Sequence, residues 1–176
     1  NKINLVCDNL SVSGGWTPMV HLFTQSGGKL KFRDSDQVFL PNTAMSDQIS
    51  IGSCNGDFEL DDIIKNAISD CKNFLSSSTT DFDRLKVNCP KQKESKNIWL
   101  LPNDKPLSKT KPFLDFQNDS TAKDVKLAMR EGFRSIEHVK RYTTTGMGTD
   151  QGKLANMHAL GIISETAGVK MGSLGT

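Results

Sequence analysis

Cysteine is scarce in this sequence, and its few copies stand far apart. The four cysteines, Cys7, Cys54, Cys71 and Cys89, form no CxxC pair. Closely spaced thiolates are the usual sign of a zinc or iron–sulfur site, so no site of that kind is predicted from them. We expect free thiols in a reducing cytoplasm, with disulfides as the less favoured alternative.

Long apolar runs and an excess of either charge are also missing. No stretch approaches the roughly 20 apolar residues that a membrane-spanning helix needs, and 22 basic residues oppose 20 acidic ones. Neither a membrane nor a nucleic acid is therefore predicted as a partner. The sequence opens at Asn1 without a methionine, and we expect a piece of a longer, cytoplasmic subunit.

Catalytic patterns are missing as well. No Ser/His/Asp order, metal-ligand spacing or paired carboxylates stand out in the sequence. His138 and His158 are isolated on predicted helices, where a packing or surface role is favoured. We therefore predict no catalytic residue and no metal ligand in this chain.

The N-terminal region has the pattern of an α/β nucleotide-binding domain. Lys2–Ser13 is predicted to be a buried strand that runs into Gly14 and Gly15. Glycines after a strand let the backbone approach a phosphate, although an ordinary turn is the more common outcome.

Further strands and a helix continue this region. Leu30–Phe32 and Val38–Leu40 are predicted to pair as a hairpin, and Gln48–Gly52 is predicted to be another strand. Asp57–Asn73 is the clearest helix, because its apolar residues recur at helical spacing. We expect this helix to pack on the sheet with its N-terminus towards a nucleotide.

A lysine-rich segment separates two predicted domains. Residues 75–112 hold four of the six prolines and seven lysines with little periodicity, which is typical of a linker or wrapping segment. Trp99, Leu100 and Leu101 are its predicted anchor. The predicted domains are therefore residues 1–74 and residues 113–176.

The C-terminal domain is predicted to be helical. Thr121 is a good N-cap for a first helix, which Gly132 ends. Ser135 caps the second helix. A third helix is expected to start near residues 149–151.

The turn after the second helix has features that suit an anion. In Thr143–Gly148, three β-branched threonines precede two glycines, which permit positive φ. We expect free backbone N–H groups at two helix ends here, beside Lys140, Arg141 and Lys153, as a phosphate site requires. In the alternative, Lys140 and Arg141 only form the solvent-exposed face of the second helix and bind no phosphate.

The stretch from Phe113 to Gly152 resembles a known module. Its Thr-x-x-Asp helix, Glu-Gly, lysine-bearing second helix and Thr-x-x-Gly-x-Gly resemble the small [2Fe-2S] domain of the bacterioferritin-associated-ferredoxin type, found in flavin amine dehydrogenase subunits. Four cysteines bind the cluster in those relatives. The matching positions in this chain are Asp115, Gln117, Asp150 and Ala155. The resemblance thus implies a ferredoxin-like frame without an iron–sulfur cluster.

The cysteine-free form of this frame is similar to the alpha-subunit family of heterotetrameric sarcosine oxidases. The likeness is carried by DFQNDSTAKD, by EGFRSIEHVKRYTTTGMGTDQGK and by SGGWTPMVHLFTQSGGKL nearer the N-terminus. It implies an α/β plus α fold, in which the carboxyl-terminal part of a Rossmann-like dinucleotide-binding domain precedes the helical domain. It also implies oxidative demethylation of sarcosine to glycine with hydrogen peroxide, and transfer of the one-carbon unit to tetrahydrofolate.

The same resemblance implies cofactors, partners and site residues. NAD would lie on this subunit, FMN at the interface with a beta subunit, and gamma and delta subunits would complete the heterotetramer. Gly52-Ser53 replaces the Gly-Asp that holds a flavin in related folds, which agrees with NAD. The candidate cofactor-binding residues are Gly14, Gly15, Asn55 and Gly56 in the N-terminal part, and Lys140, Arg141, Thr143, Thr144 and Gln151 near the FMN.

Two other functions stay open. An electron-transfer module would need an iron–sulfur cluster, whose cysteine ligands are missing. An assembly module of a flavin amine or opine dehydrogenase complex would dock subunits with no cofactor against residues 140–151. Under the sarcosine oxidase interpretation, these 176 residues alone are expected to be catalytically silent.

Overall fold

The computed structural model describes residues 3–11, 13–76, 89–90 and 97–175. Residue contacts divide the chain into two compact units, Asn1–Leu30 with Val38–Lys91 and Lys31–Gln37 with Gln92–Thr176. Both helices and strands are present, so the chain is of the predicted mixed α/β class. The predicted linker falls partly outside the described residues, at 77–88 and 91–96.

The N-terminal half contains one long helix and several short elements. In chain order these are α1 (His21–Gln25), β1 (Lys29–Arg33), β2 (Val38–Thr43), a 3-10 helix (Gly52–Asn55) and α2 (Leu60–Leu75). β1 and β2 form a two-stranded sheet, which confirms the predicted hairpin. The side chain of Arg33 closes its turn by donating from Nε to Oδ1 of Asp36 at 2.7 Å.

The predicted strand at Lys2–Ser13 is wrong wherever the structure describes it. Residues 3–11 and 13 lie in no strand, and the apolar side chains of this segment are exposed. A strand needs a neighbour for its backbone hydrogen bonds and a cover for its apolar face. The described strands pair only as β1 with β2 and as two short strands near residue 115, so neither need is met.

The predicted strand at Gln48–Gly52 is also wrong. Its described residues form no strand, and the 3-10 helix begins at Gly52. The reason is the same, because strand propensity is expressed only beside a partner strand. The predicted helix at Asp57–Asn73 is confirmed as α2, shifted a few residues towards the C-terminus, but none of its residues is fully buried.

The second unit is a hairpin followed by three helices. Its described elements after residue 97 are a 3-10 helix (Leu107–Lys109), β3 (Phe113–Asp115), β4 (Ser120–Thr121), α3 (Ala122–Arg130), α4 (Ile136–Thr143), α5 (Asn156–Ala167) and a 3-10 helix (Met171–Ser173). β3 and β4 are antiparallel, with Asp115 opposite Ser120.

The predicted helix boundaries are confirmed for α3 and α4. The carboxylate of Asp124 accepts from the backbone N–H of Thr121 at 2.8 Å, as a capping box requires. Gly132, at φ +100°, follows the end of α3. Ser135 Oγ accepts from the N–H of His138 at 3.2 Å and caps α4. α5 begins later than expected, because residues 149–155 form turns.

The core of this unit lies between the three helices. Its buried members are Leu114, Ala122, Val125, Ala128, Val139, Ala159, Ile162 and Ile163. Trp99 and Leu100 pack against this core, as the predicted anchor requires, whereas Leu101 is exposed. The indole of Trp99 lies directly on Gly161 of α5, where a Cβ would collide with the ring.

Among the described helices of the chain, none combines the length and the apolar character that crossing a membrane would require.

Candidate functional site

The α4–α5 loop, residues 144–155, brings together most of the residues that the sequence singles out. Thr144 ends α4 in the left-handed conformation, at φ 59°. Gly146 and Gly152 also have positive φ, at 74° and 77°. Such a chain path turns several backbone N–H groups towards one side, which is the geometry of an anion-binding nest.

The carboxylate of Asp115 fills part of that nest. Asp115 ends β3 with only 4% of its surface exposed. Its Oδ2 accepts from the backbone N–H of Gly146 at 2.8 Å, 31 residues away in sequence. Its Oδ1 accepts from the N–H groups of Gln117 at 2.9 Å and Asn118 at 3.0 Å. One side chain therefore joins the β3–β4 turn to the α4–α5 loop.

These hydrogen bonds lower the pKa of Asp115 and favour its ionised form. Burial by itself would raise the pKa of the carboxyl, but hydrogen bonds from the Asn118 side chain and from the N–H groups of Asn118, Gly146 and Gln117 outweigh it. The pKa of Asp115 is held below its ordinary value. The group is thus an anion at neutral pH, already solvated by the protein.

Gln117 and Asp150 occupy further N–H groups of the loop. Gln117 Oε1 accepts from the backbone N–H of Thr149 at 2.6 Å. Asp150 accepts from the N–H groups of Gly152 at 3.1 Å and Leu154 at 3.3 Å. The prediction of free N–H groups is therefore wrong for these donors, because side-chain oxygens inside the protein already bind them.

Side chains also fill the space beside the loop glycines. The amide of Asn156 occupies the volume that a Cβ of Gly146 or Gly152 would enter, and the amide of Gln117 does the same at Gly148. Glycine is required at these three positions by close approach, and at two of them by positive φ as well.

The structure places the candidate FMN-binding residues at the end of α4 and in the loop. Lys140 is half-buried, while Arg141 is exposed with its Nη2 3.7 Å from Oε2 of Glu137. Thr143 Oγ1 donates to the carbonyl of Val139 at 2.8 Å. The basic side chains therefore remain available at the surface, whereas the Thr143 hydroxyl proton is used inside the helix.

Two more candidates lie in the same loop. Thr144 Oγ1 donates to the carbonyl of Thr143 at 2.6 Å. Gln151 is exposed, with a left-handed backbone at φ 52°. The five candidates thus lie within one helix end and one loop of the second unit.

The remaining candidates lie in the first unit. Gly14 and Gly15 are exposed, and nothing stands within 4 Å of a Cβ built on either one. Asn55 and Gly56 end the 3-10 helix before α2, with Gly56 buried at φ 81°. A phosphate-binding site is a concave pocket lined by several residues. The described surroundings of Gly14 and Gly15 do not form such a pocket by themselves.

Sequence reasoning missed two residues that fix the end of α4. Ser120 Oγ donates to the carbonyl of Thr143 at 2.5 Å, and Asn118 Nδ2 donates to the carbonyl of Thr144 at 3.3 Å. Asn118 lies in the β3–β4 turn and Ser120 begins β4, and polar residues are ordinary at both places. Only their long-range partners distinguish them.

The described residues contain no group of three or more His, Cys, Asp or Glu side chains that could hold a metal ion.

Comparison with known proteins identifies the second part of the chain. Residues 109–176 match the family model of the sarcosine oxidase A3 domain. These residues are therefore similar to a sarcosine oxidase A3 domain, and they are called the A3 domain below. The hairpin, the three helices and the α4–α5 loop all lie inside it. The predicted relationship to sarcosine oxidase alpha subunits is therefore confirmed.

Individual relatives extend the likeness beyond the A3 domain. Sarcosine oxidase subunit alpha of Corynebacterium sp. (strain P-1) is 32% identical over 171 residues, or 93% of this chain. The subunit of Rhizobium meliloti (strain 1021) is 31% identical over 183 residues, or 98% of this chain. The chain spans 17% of the length of each of these relatives.

A solved structure shares the fold. The crystal structure of L-proline dehydrogenase from P. horikoshii is similar over 92% of this chain and 34% of its own, with a TM-score of 0.60 and 18% identity. The A3 domain and the region before it therefore have a fold that occurs as part of a larger protein.

Proposed function

We propose that this chain is part of the alpha subunit of a sarcosine-oxidase-type oxidoreductase. The observation that carries the proposal is identity of 31–32% to such subunits over 93–98% of the chain. The whole protein would convert sarcosine to glycine with release of hydrogen peroxide, and would pass the one-carbon unit to tetrahydrofolate. Beta, gamma and delta subunits would be its partners in a cytoplasmic heterotetramer.

Within that enzyme, this chain would contribute structure and no catalytic residue. We assign residues 1–74 to the end of a Rossmann-like, NAD-binding domain, 75–112 to a linker and 113–176 to the ferredoxin-like helical domain. Gly14, Gly15, Asn55 and Gly56 are the candidates for NAD. Because the described surroundings of the glycine pair are open, any NAD site there must be completed by other residues.

The A3 domain would border an FMN shared with the beta subunit. When bound, the flavin supplies the electron acceptor for amine oxidation. Lys140 and Arg141 can offer charged donors to its phosphate, because both side chains reach the surface. Gln151 can add a neutral donor. Thr143 and Thr144 would form the wall, since their hydroxyl protons are engaged inside the domain.

The test is FMN content of the assembled enzyme. Full-length alpha subunit carrying Lys140→Gln and Arg141→Gln would be co-expressed with its partner subunits, and bound FMN would be measured by extraction. We expect binding at least about tenfold weaker, since each charged hydrogen bond contributes roughly 1.5–3 kcal/mol. Lys123→Gln with Lys126→Gln, two exposed lysines of α3, is the matched control. Full FMN content in the first variant would sink the assignment.

The assembly-module alternative also has support in the structure. The loop uses its N–H groups internally, and the apolar side chains of Phe116 and Met147 are exposed beside it. Under that alternative, the Lys140 and Arg141 variant keeps its FMN but loses partner subunits, which gel filtration of the complex would reveal.

A further inference from the structure

The four ligand positions of the ferredoxin-like frame cannot bind a [2Fe-2S] cluster in this chain. They carry Asp115, Gln117, Asp150 and Ala155, and the last cysteine of the sequence is Cys89. Such clusters are held by thiolates, with imidazole as the known substitute. Carboxylate, amide and methyl groups are the wrong donor set.

Three of those positions have a different and shared use. Asp115, Gln117 and Asp150 accept hydrogen bonds from six backbone N–H groups, those of Gln117, Asn118, Gly146, Thr149, Gly152 and Leu154. Two of these bonds join the β3–β4 hairpin to the α4–α5 loop across 31 and 32 residues of sequence. Asp115 and Gln117 therefore cross-link segments that the cluster ligands would join, while Asp150 binds donors within the α4–α5 loop itself.

The volume around these oxygens is filled as well. The amide of Gln117 packs on Gly148, and the amide of Asn156 packs on Gly146 and Gly152. Asp115 is nearly inaccessible to solvent. No buried side-chain nitrogen or oxygen in the described part of the chain lacks a hydrogen-bond partner. Within the described residues, the buried side-chain groups of this network are therefore satisfied by the protein itself.

We propose that the side-chain oxygens of Asp115 and Gln117 replace the iron–sulfur cluster as the cross-link of this module, with Asp150 holding the shape of the α4–α5 loop. The α4–α5 loop is then held in place by hydrogen bonds instead of metal–thiolate bonds. The module positions its surface for neighbouring groups and carries no electron. This inference is independent of the FMN assignment, because it concerns only contacts within residues 115–156.

The proposal predicts how fast the loop exchanges its amide hydrogens. In full-length protein, Asp115→Asn keeps the shape of the side chain but faces the N–H donors with an NH₂ group. We expect peptides covering residues 144–154 to exchange about five- to tenfold faster or more, because the buried N–H of Gly146 loses its charged acceptor. Asp119→Asn, the same change at an exposed position of the same turn, should leave exchange unaltered.

A second variant covers the case in which Asp115→Asn fails to fold. Gln117→Met has a similar volume and removes the acceptor that the N–H and the hydroxyl of Thr149 share at the surface. It should speed exchange in peptides around residues 147–151 and leave α3 unaffected. Unchanged exchange in this variant would overturn the proposal.

Iron content gives an independent readout. Purified full-length protein should contain no stoichiometric iron or acid-labile sulfide associated with this module. Finding both at one [2Fe-2S] cluster per A3 domain, and losing them on substituting Asp115 or Asp150, would also overturn the proposal.

Discussion

Asp115 is a buried carboxylate whose charge is balanced by hydrogen bonds instead of a cation. Its donors are an amide side chain and backbone N–H groups, which cannot move away without unfolding the turn. Such an anion stabilises the folded chain only while it stays ionised.

The depressed pKa of Asp115 gives a pH dependence with a definite sign. Its stabilisation is fully present above the pKa of an unfolded Asp, about 3.9, and is lost as pH falls through the lower pKa of the folded state. We expect the urea midpoint of the wild-type chain to fall more steeply than that of Asp115→Asn between about pH 5 and pH 3. Parallel pH profiles, with Asp119→Asn as reference, would contradict this.

Gly146 has no side chain, which allows both its backbone conformation and its close packing. It combines φ of 74° with close packing against the amide of Asn156. Gly168 has a similar φ of 67° but open space around it. An alanine at Gly168 would therefore meet only the strain of a positive φ, whereas an alanine at Gly146 would also collide with Asn156.

Gly146→Ala should destabilise the chain more than Gly168→Ala. Gly168→Ala, the control, is destabilised only by the strain of positive φ, by about 1 kcal/mol. Gly146→Ala also forces Asn156 to move, which lowers the free energy of unfolding by about 1–3 kcal/mol more. The free energy of urea unfolding measures both. Equal losses would mean that Asn156 adjusts without cost.

Helices α3 and α4 were predictable because their end signals are local. The capping residues Thr121 and Ser135 bind N–H or carboxylate groups only three residues away, and Gly132 acts at its own backbone. A short stretch of sequence therefore contains both partners of each capping interaction, so these helix ends can be predicted from it.

Ser135 allows that locality to be tested. Ser135→Ala removes the acceptor for the His138 N–H and should cost about 1 kcal/mol of stability. Ser108, which is exposed in a 3-10 helix, provides the control. A thermal midpoint that falls equally in Ser135→Ala and Ser108→Ala would mean that the cap contributes nothing specific.

At the scale of the whole molecule, the errors of prediction share one cause. The segment Lys2–Ser13 has the composition of a strand, yet a strand depends on neighbours that its own sequence does not specify. The α4–α5 loop has the composition of an anion site, yet Asp115 and Gln117 bind its donors from about 30 residues away. Patterns within a short window predict which groups are present, but they do not predict which distant groups will satisfy them.

The placement of Trp99 on Gly161 has a practical consequence. The sequence contains two tryptophans: the indole of Trp16 is 82% exposed, while that of Trp99 is half-buried and donates from Nε1 to Gln37 at 2.9 Å. We therefore expect the fluorescence emission maximum of Trp99 at a shorter wavelength than that of Trp16. After Trp16→Phe in this 176-residue chain, tryptophan fluorescence reports the contacts of Trp99 with Gly161 and Gln37 without any added dye.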